Sequence, residues 1–559
     1  MFKPSKVVNY LKSKEKNMKL LMRSYILTTI FLCLCFIAQA QTGPAGVGMN
    51  DGSSSLKLWL DAGNGTFSDT LQKSTAKPGD KILFWKDLSG SKNHVMSGSD
   101  TTNPVLTTSN PLLNNQEGIR FFRNDGNGNK KNFLVSKSFS KTNDITIYCI
   151  FHALTKAGGT NLSPFKATNY DSNMWYFGAG LVDGGANGFT NDISLAFCDT
   201  SIAAGAGDST SSTDYCVKAP ASLNKTYFAV LQKEAWTGKL KIGHNTNTDS
   251  VFQAGTQPIN VPTRYYIGST SNAKANAEPS FFDGYIACVL VYNKILSSAE
   301  KIILENYLSA KYNIPLKDND IYQFDESHAG NFDFELIGIG KANDGTAQLS
   351  ARGDGMIELL NISELSKGEF MFIAHNGKSL TSAKGNLPTG IQYRLDREWI
   401  CSKIGKSSKV DLIIDPINIS AIDSKDIRLI IDTDNDGSYT MEKIGEGVIE
   451  ISEVTRDGRY VFRGVDLKHG NHFTLGRVNS DSINSEADYF SPNGDGVSDT
   501  YYISCAGKAN IYDRNGKRIK TLTTPAFWDG TNDGGELLAP GLYFLNVNED
   551  LQKTVTLIR

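Results

Sequence analysis

The chain has 559 residues, 40% hydrophobic and 21% charged, a balance that excludes a disordered polymer and allows three or four ordinary domains. Its formal net charge of -2 hides an asymmetry: residues 1–40 carry seven Lys/Arg against the single acid Glu15, leaving 50 basic and 58 acidic side chains in the rest. An acidic chain without a basic run is a poor partner for nucleic acid and suits a surface protein or a calcium binder.

In chain order, Lys19 and Arg23 precede an apolar run, Tyr25 to Ile37, and then Ala38-Gln39-Ala40. This is the layout of a signal peptide with Gln41 as the mature start. A membrane anchor is the other reading, but the run is shorter than the ~20 residues a spanning helix needs. No later stretch is apolar and long enough to span. Residues 41–55 read as a flexible leader.

Residues 56–315 alternate in the manner of strands, from Leu56–Asp61 and Lys81–Trp85 through Gly118–Phe122, Ile145–Ala153, Asp192–Phe197, Tyr227–Gln232, Lys239–Gly243 and Arg264–Ile267 to Asp283–Tyr292. A helix closes the unit, with Ser297 as N-cap, Glu300 completing a capping box, and an end near Asn313 before Pro315. The motifs Leu58-Trp59-Leu60-Asp61-Ala62, Trp85-Lys86-Asp87-Leu88-Ser89-Gly90, and Phe282-Asp283-Gly284-Tyr285 through Ser297-Ser298-Ala299-Glu300 to Tyr307-Leu308-Ser309-Ala310-Lys311-Tyr312 resemble the LamG-like, concanavalin A-type jelly-roll family. That resemblance implies two packed antiparallel sheets and a ligand site on loops. Trp175 and Tyr176, in a Gly/Asn/Asp-rich stretch, and Trp236, in a turn, are the aromatics suited to stacking on a sugar; sandwich core is the competing reading for each. Cys198 and Cys216 flank a small-residue loop that a disulfide can close, while Cys149 and Cys288 read as buried thiols. None of the six cysteines beyond residue 40 lies in a C-x-x-C pair, which argues against zinc.

Residues 320–480 form a second β-rich unit, with strands at Phe334–Ile339, Met356–Leu360, Phe370–His375, Lys409–Ile414, Ile427–Ile431 and His472–Arg477. Phe324-Asp325-Glu326-Ser327-His328 and Ile337-Gly338-Ile339-Gly340 resemble a domain of unknown role that often follows such jelly rolls. Within it, Asp432, Asp434 and Asp436, followed by Gly437, space oxygen ligands as a calcium loop opens. The twelfth position is Lys443, with Glu442 one place early, so the loop is not a complete EF-hand; an acidic turn capping itself fits the same residues. The pair His469 and His472 reads as a surface turn, and Arg352-Gly353-Asp354 as a tight turn.

After a polar linker, residues 489–559 carry Tyr489-Phe490-Ser491-Pro492-Asn493-Gly494-Asp495-Gly496-Val497-Ser498-Asp499, Ile511-Tyr512-Asp513-Arg514-Asn515-Gly516, Trp528-Asp529-Gly530 and Pro540-Gly541-Leu542-Tyr543-Phe544. This ordered set resembles the gliding-motility-associated C-terminal domain, the type B sorting domain of type IX secretion. It departs where Ser498 and Asp513 stand for the usual Asn and where the stretch between Ile503 and Ile511 is shortened. The resemblance implies a small Ig-like sandwich, the secretion machinery as partner, and delivery to the surface or medium. Asn493, Asp495 and Asp499 offer a second set of oxygens for calcium or, equally, for loop capping.

The whole therefore reads as all-β, a series of antiparallel sandwiches. Nucleotide loops, H-E-x-x-H, G-x-S-x-G and the E-x-D-x-x-E strand of laminarinase-like enzymes are absent, so the expectation is a non-enzymatic binding or adhesion protein for carbohydrate or glycoprotein, calcium-assisted. A divergent polysaccharide hydrolase and a purely structural surface protein are the alternatives.

Overall fold

The computed structural model describes residues 41–558 apart from 99–102, 124–131, 157–164, 169–177, 186–190, 199, 208–212, 246, 254–255, 257, 271–280, 327–330, 354, 407–408, 417–418, 420–425, 479–488, 494–498 and 548–550. The signal-peptide segment, Trp175, Tyr176, Asp354 and Asp495 thus lie outside the described residues.

The fold is all-β, as its turn-punctuated strands imply. Two antiparallel sheets of eight and ten strands form the first sandwich. The centre of the eight-stranded sheet is Ile145–Ala153, flanked by Thr226–Lys233 and Gly284–Tyr292. Every residue of Ile145–Ala153 is buried. Its sequence, ITIYCIFHA, runs apolar without the alternation of a half-wet strand, the mark of a strand covered on both faces. Ile147, Cys149 and Phe151 point into the sandwich core with Val289, Leu195 and Phe197. Tyr148 and Ile150 point the other way, into a second core with Trp59, Leu290 and the helix Ser298–Tyr312.

That helix forms as its sequence requires. The Ser297 hydroxyl accepts from Glu300 N, the Glu300 carboxylate accepts from Ser297 N at 3.0 Å, and Asn313 ends it in the left-handed region at φ 50°. Ile303, Leu304 and Leu308 join one core with Tyr148 of the first sandwich and with Leu336, Phe370 and Phe372 of the second unit. The helix is therefore a layer shared by two β units rather than a lid on one. Gly338 permits the close approach: a Cβ there would stand 2.8 Å from the Phe372 ring and 3.0 Å from Ile303 Cγ2.

The second unit packs a nine-stranded sheet against a four-stranded one, with Ile339, Leu359, Cys401, Leu412, Phe462 and Leu475 between them. The last unit is a five-stranded sheet in which Tyr489–Phe490 pairs parallel with Leu551–Leu557. Its strands Tyr501–Tyr512 and Arg518–Trp528 are long and shift register between Ile503 and Gly507. Trp528 anchors that core: it is 1% exposed, lies 5.0 Å from the Phe490 ring and 5.4 Å from the Tyr543 ring, and donates from Nε1 to Thr531 O. Gly530 takes φ 75° and leaves no room for a Cβ beside Leu557, which accounts for the glycine of the W-D-G motif.

Two expectations need correction. The segment after Gln41 is not a loose leader: Ala45 and Val47 are buried, Gln348 Nε2 donates to Gly46 O at 2.7 Å, and Arg352 N donates to Gln41 O at 2.9 Å. Gly46 fits the seam for want of a side chain: a Cβ there would stand 2.4 Å from Ala351 Cβ. Cys198 and Cys216 are not bridged. Cys198 pairs with Ser201, which pairs with Pro220, so Cys216 lies two strands over and four residues along. That is a separation of roughly 16 Å from strand geometry, far beyond the reach of a disulfide. Cys149 and Cys288 are buried thiols.

Candidate functional sites

Trp236 stands at the tip of the hairpin joining Thr226–Lys233 to Lys239–His244 and is 92% exposed. The tip is held rigidly. Glu234 N donates to Lys239 O and Gly238 N to Glu234 O, both at 2.9 Å, and Ala235 N donates to Asp144 Oδ1 at 2.7 Å. The Thr237 hydroxyl donates to Glu234 Oε2, and Lys241 pairs with Glu234 Oε1. Burial alone would raise the Glu234 carboxyl, but the hydrogen bonds from Lys241 and Thr237 outweigh it and hold the group below its ordinary value. The result is a turn held by hydrogen bonds that presents a large aromatic side chain, left uncovered by the described residues.

The acidic loop is the second candidate. One carboxylate oxygen from each of Asp432, Asp434 and Asp436 lies within 4.8 Å of the others. Calcium–oxygen distances of about 2.3–2.6 Å place ligand oxygens at most about 5 Å apart, so the trio fits calcium and supplies about half its usual coordination. Asp432 is buried and accepts from Gly437 N at 2.9 Å and Asp436 N at 3.2 Å. Burial raises its carboxyl and the adjoining Asp434 carboxyl raises it further, against the pull of those backbone donors. Crowded negative charge of this kind is what a cation relieves. Glu442 is turned elsewhere: it accepts from Thr433 N at 2.8 Å.

His469 and His472 pack against aromatic rings. Their rings lie 5.1 Å from Phe324 and Phe332 respectively, and His469 Nδ1 accepts from Lys403 N. Their neighbour Asn471 braces the acidic loop, donating to Asp432 O at 2.7 Å and to Asn435 Oδ1 at 2.8 Å. Nothing in the local spacing singles out Asn471, because it belongs to a loop distant in sequence. In the last unit, Asp499 Oδ1 accepts from Asn493 N at 3.0 Å, so that oxygen already closes the loop. Arg352 pairs with Asp415 at 2.7 Å and belongs to the seam beneath the first residues.

One feature has no signal in the sequence. A cleft of about 290 Å³ opens at the edge of the first sandwich, lined from five separate stretches that include Asn64, Thr75, Lys86, Thr108 and Glu117. Only the topology brings those residues together.

Among solved structures, the chain is similar to the Ruminococcus gnavus IT-sialidase CBM40 bound to alpha2,3 sialyllactose (13% identity over 29% of this chain and 80% of that one, TM-score 0.21). It is similar also to the native heptameric SAP-like pentraxin of Limulus polyphemus (10% identity, 32% and 76%, TM-score 0.23) and to a structure of botulinum neurotoxin type C (10% identity, 78% and 96%, TM-score 0.29). At such scores the likeness carries no functional weight. No curated protein matches the chain. Residues 300–471 match a domain of unknown function, DUF8202, whose model begins inside the shared helix. Residues 484–556 match the CHU_C type IX secretion signal domain, so the chain carries at its C-terminal end a signal that implies export to the cell surface or beyond.

Proposed function

We propose that this protein is a surface or secreted binding protein that recognises carbohydrate or glycoprotein through its first sandwich, with Trp236 as the stacking platform. The exposure of Trp236 on a rigid hairpin carries the reading. An exposed Trp offers a large apolar face whose burial on contact is favourable, and with only two side-chain torsions it loses little entropy in binding, which is how an anchor residue is built. A flat indole suits the CH-lined face of a pyranose ring. The LamG-like resemblance supports the same assignment. Signal-peptide cleavage after Ala40 would start the route that the C-terminal signal completes, and calcium at Asp432, Asp434 and Asp436 would brace the second unit.

A glycan array probed with the mature chain, with and without EGTA, tests the assignment. Binding should appear for a restricted glycan set and fall at least tenfold in Trp236→Ala. No binding to any glycan, or binding indifferent to Trp236→Ala, would sink it. The rival reading, a divergent hydrolase, would show as reducing sugar released from polysaccharide.

A further inference from the structure

We infer that the cleft between residues 62–67 and the edge strand Val105–Asn110 is a second site on the first sandwich, shaped for one hexose-sized sugar unit. This rests on the carbohydrate reading above. Its walls are preformed. Asn64 N donates to Asp61 O at 3.1 Å, Ala76 N to Thr66 O at 2.9 Å, Lys86 N to Gly65 O at 2.8 Å and Gly79 N to Leu106 O at 2.9 Å, so each bordering segment is tied to a neighbour. Gly63 leaves the opening: a Cβ there would stand 3.0 Å from Glu117 Oε2.

The lining decides the ligand class. Asn64, Thr66, Thr75, Lys86, Thr108 and Glu117 line the cleft, and their side chains have no hydrogen-bond or ion-pair partner among the described residues. Hydroxyls, an amide, an ammonium and a carboxylate together both donate and accept, which is what a ring of hydroxyl groups requires. Lys86 and Glu117 cancel in charge, so nothing asks the ligand to be an ion. Phe67, half-buried against Phe84 with ring centroids 6.0 Å apart, adds one aromatic surface. At about 290 Å³, the space sits at the lower end of the roughly 300–1,000 Å³ of small-molecule sites, which suits a single ring and not an oligosaccharide.

The cleft is separate from the Trp236 tip. Leu56 pairs with Tyr292, which pairs with Thr146, beside the Asp144 that holds the tip. Asp61 lies at the far end of that strand, next to the cleft. The two features are therefore roughly 20 Å apart or more along the strand direction, and a branched or extended glycan can meet both.

Saturation-transfer NMR on the mature chain, with methyl glycosides of glucose, galactose, mannose, N-acetylglucosamine, fucose, xylose and arabinose as probes, tests the cleft. At least one glycoside should bind. The Lys86→Ala/Glu117→Gln double variant should weaken that binding at least tenfold, both in the unaltered chain and in a Trp236→Ala background that removes any contribution of the platform. Asn64→Ala, at an exposed position, gives a second variant should the double one fold poorly; it too should weaken binding. Absence of binding by every methyl glycoside, survival of the signal in the cleft variants, or a preference for free amino acids would overturn the inference. Array binding that depends on Trp236 but ignores the cleft variants would overturn the cleft alone and leave the platform standing.

Discussion

The Tyr148 hydroxyl, at the centre of the first sandwich's eight-stranded sheet, donates to Glu305 Oε1 of the shared helix at 3.0 Å. Glu305 is 1% exposed, and Lys301 reaches the same oxygen only at 3.7 Å. Burial pushes its carboxyl up to about 8, against the smaller opposing pull of Lys301 and Tyr148. A carboxyl that is neutral when folded and ionised when unfolded makes stability fall as pH rises from its ordinary value of 4.5 through 8. Asp325, raised to about 7 by burial and then by Asp320, and Asp333, raised to about 6 by burial, add the same sign on the segment leading from the helix to the second unit. We predict a melting temperature several degrees lower at pH 8.5 than at pH 5.5. Glu305→Gln should change little at pH 5.5 and stabilise at pH 8.5; equal destabilisation at both would refute the assignment.

Calcium should raise the melting temperature of the mature chain, by an amount that grows with the logarithm of its concentration once above the dissociation constant. EGTA should reverse the rise. Asp434→Ala/Asp436→Ala should abolish it while leaving the calcium-free melting point nearly unchanged, because both side chains are exposed. A rise of the same size in that variant would place the ion elsewhere.

Gly338→Ala should destabilise the junction of the helix with the second unit by about 1–3 kcal/mol, since the new methyl meets Phe372 and Ile303 at less than contact distance. Chemical denaturation measures this directly. A neutral result would mean the helix can slide.

Trp528→Ala should cost the last unit about 3–5 kcal/mol, a large share of what so small a core supplies. Limited proteolysis should then trim the chain beyond residue 478 and spare the first two units. In a host with type IX export, that variant should accumulate in the periplasm; normal delivery would show that the signal is read from the sequence and not from the folded sheet.

Much of this was legible in advance. The strand Ile145–Ala153 and the capped helix follow from local pattern, and the four ordered motifs of the last unit foretold a signal domain that residues 484–556 match. Other features depend on long-range geometry. Cys198 and Cys216 look like loop partners because sequence distance says nothing of which strand lies between them. The first residues look loose because Gly and Ala are flexible alone, yet the same smallness fits Gly46 against Ala351. The cleft is assembled from segments fifty residues apart in the chain, so no window of sequence contains it.

The doubly faced helix also governs how the molecule can be taken apart. A fragment stopping at Tyr312 would present Leu304 and Leu308 to water where Phe370 and Phe372 belong, and one beginning after the helix would bare those rings in turn. Either piece would carry a sticky wall. The smallest excision with every surface dressed runs from Gln41 to Val478, and binding measured on shorter cuts would report on exposed wall as much as on any ligand.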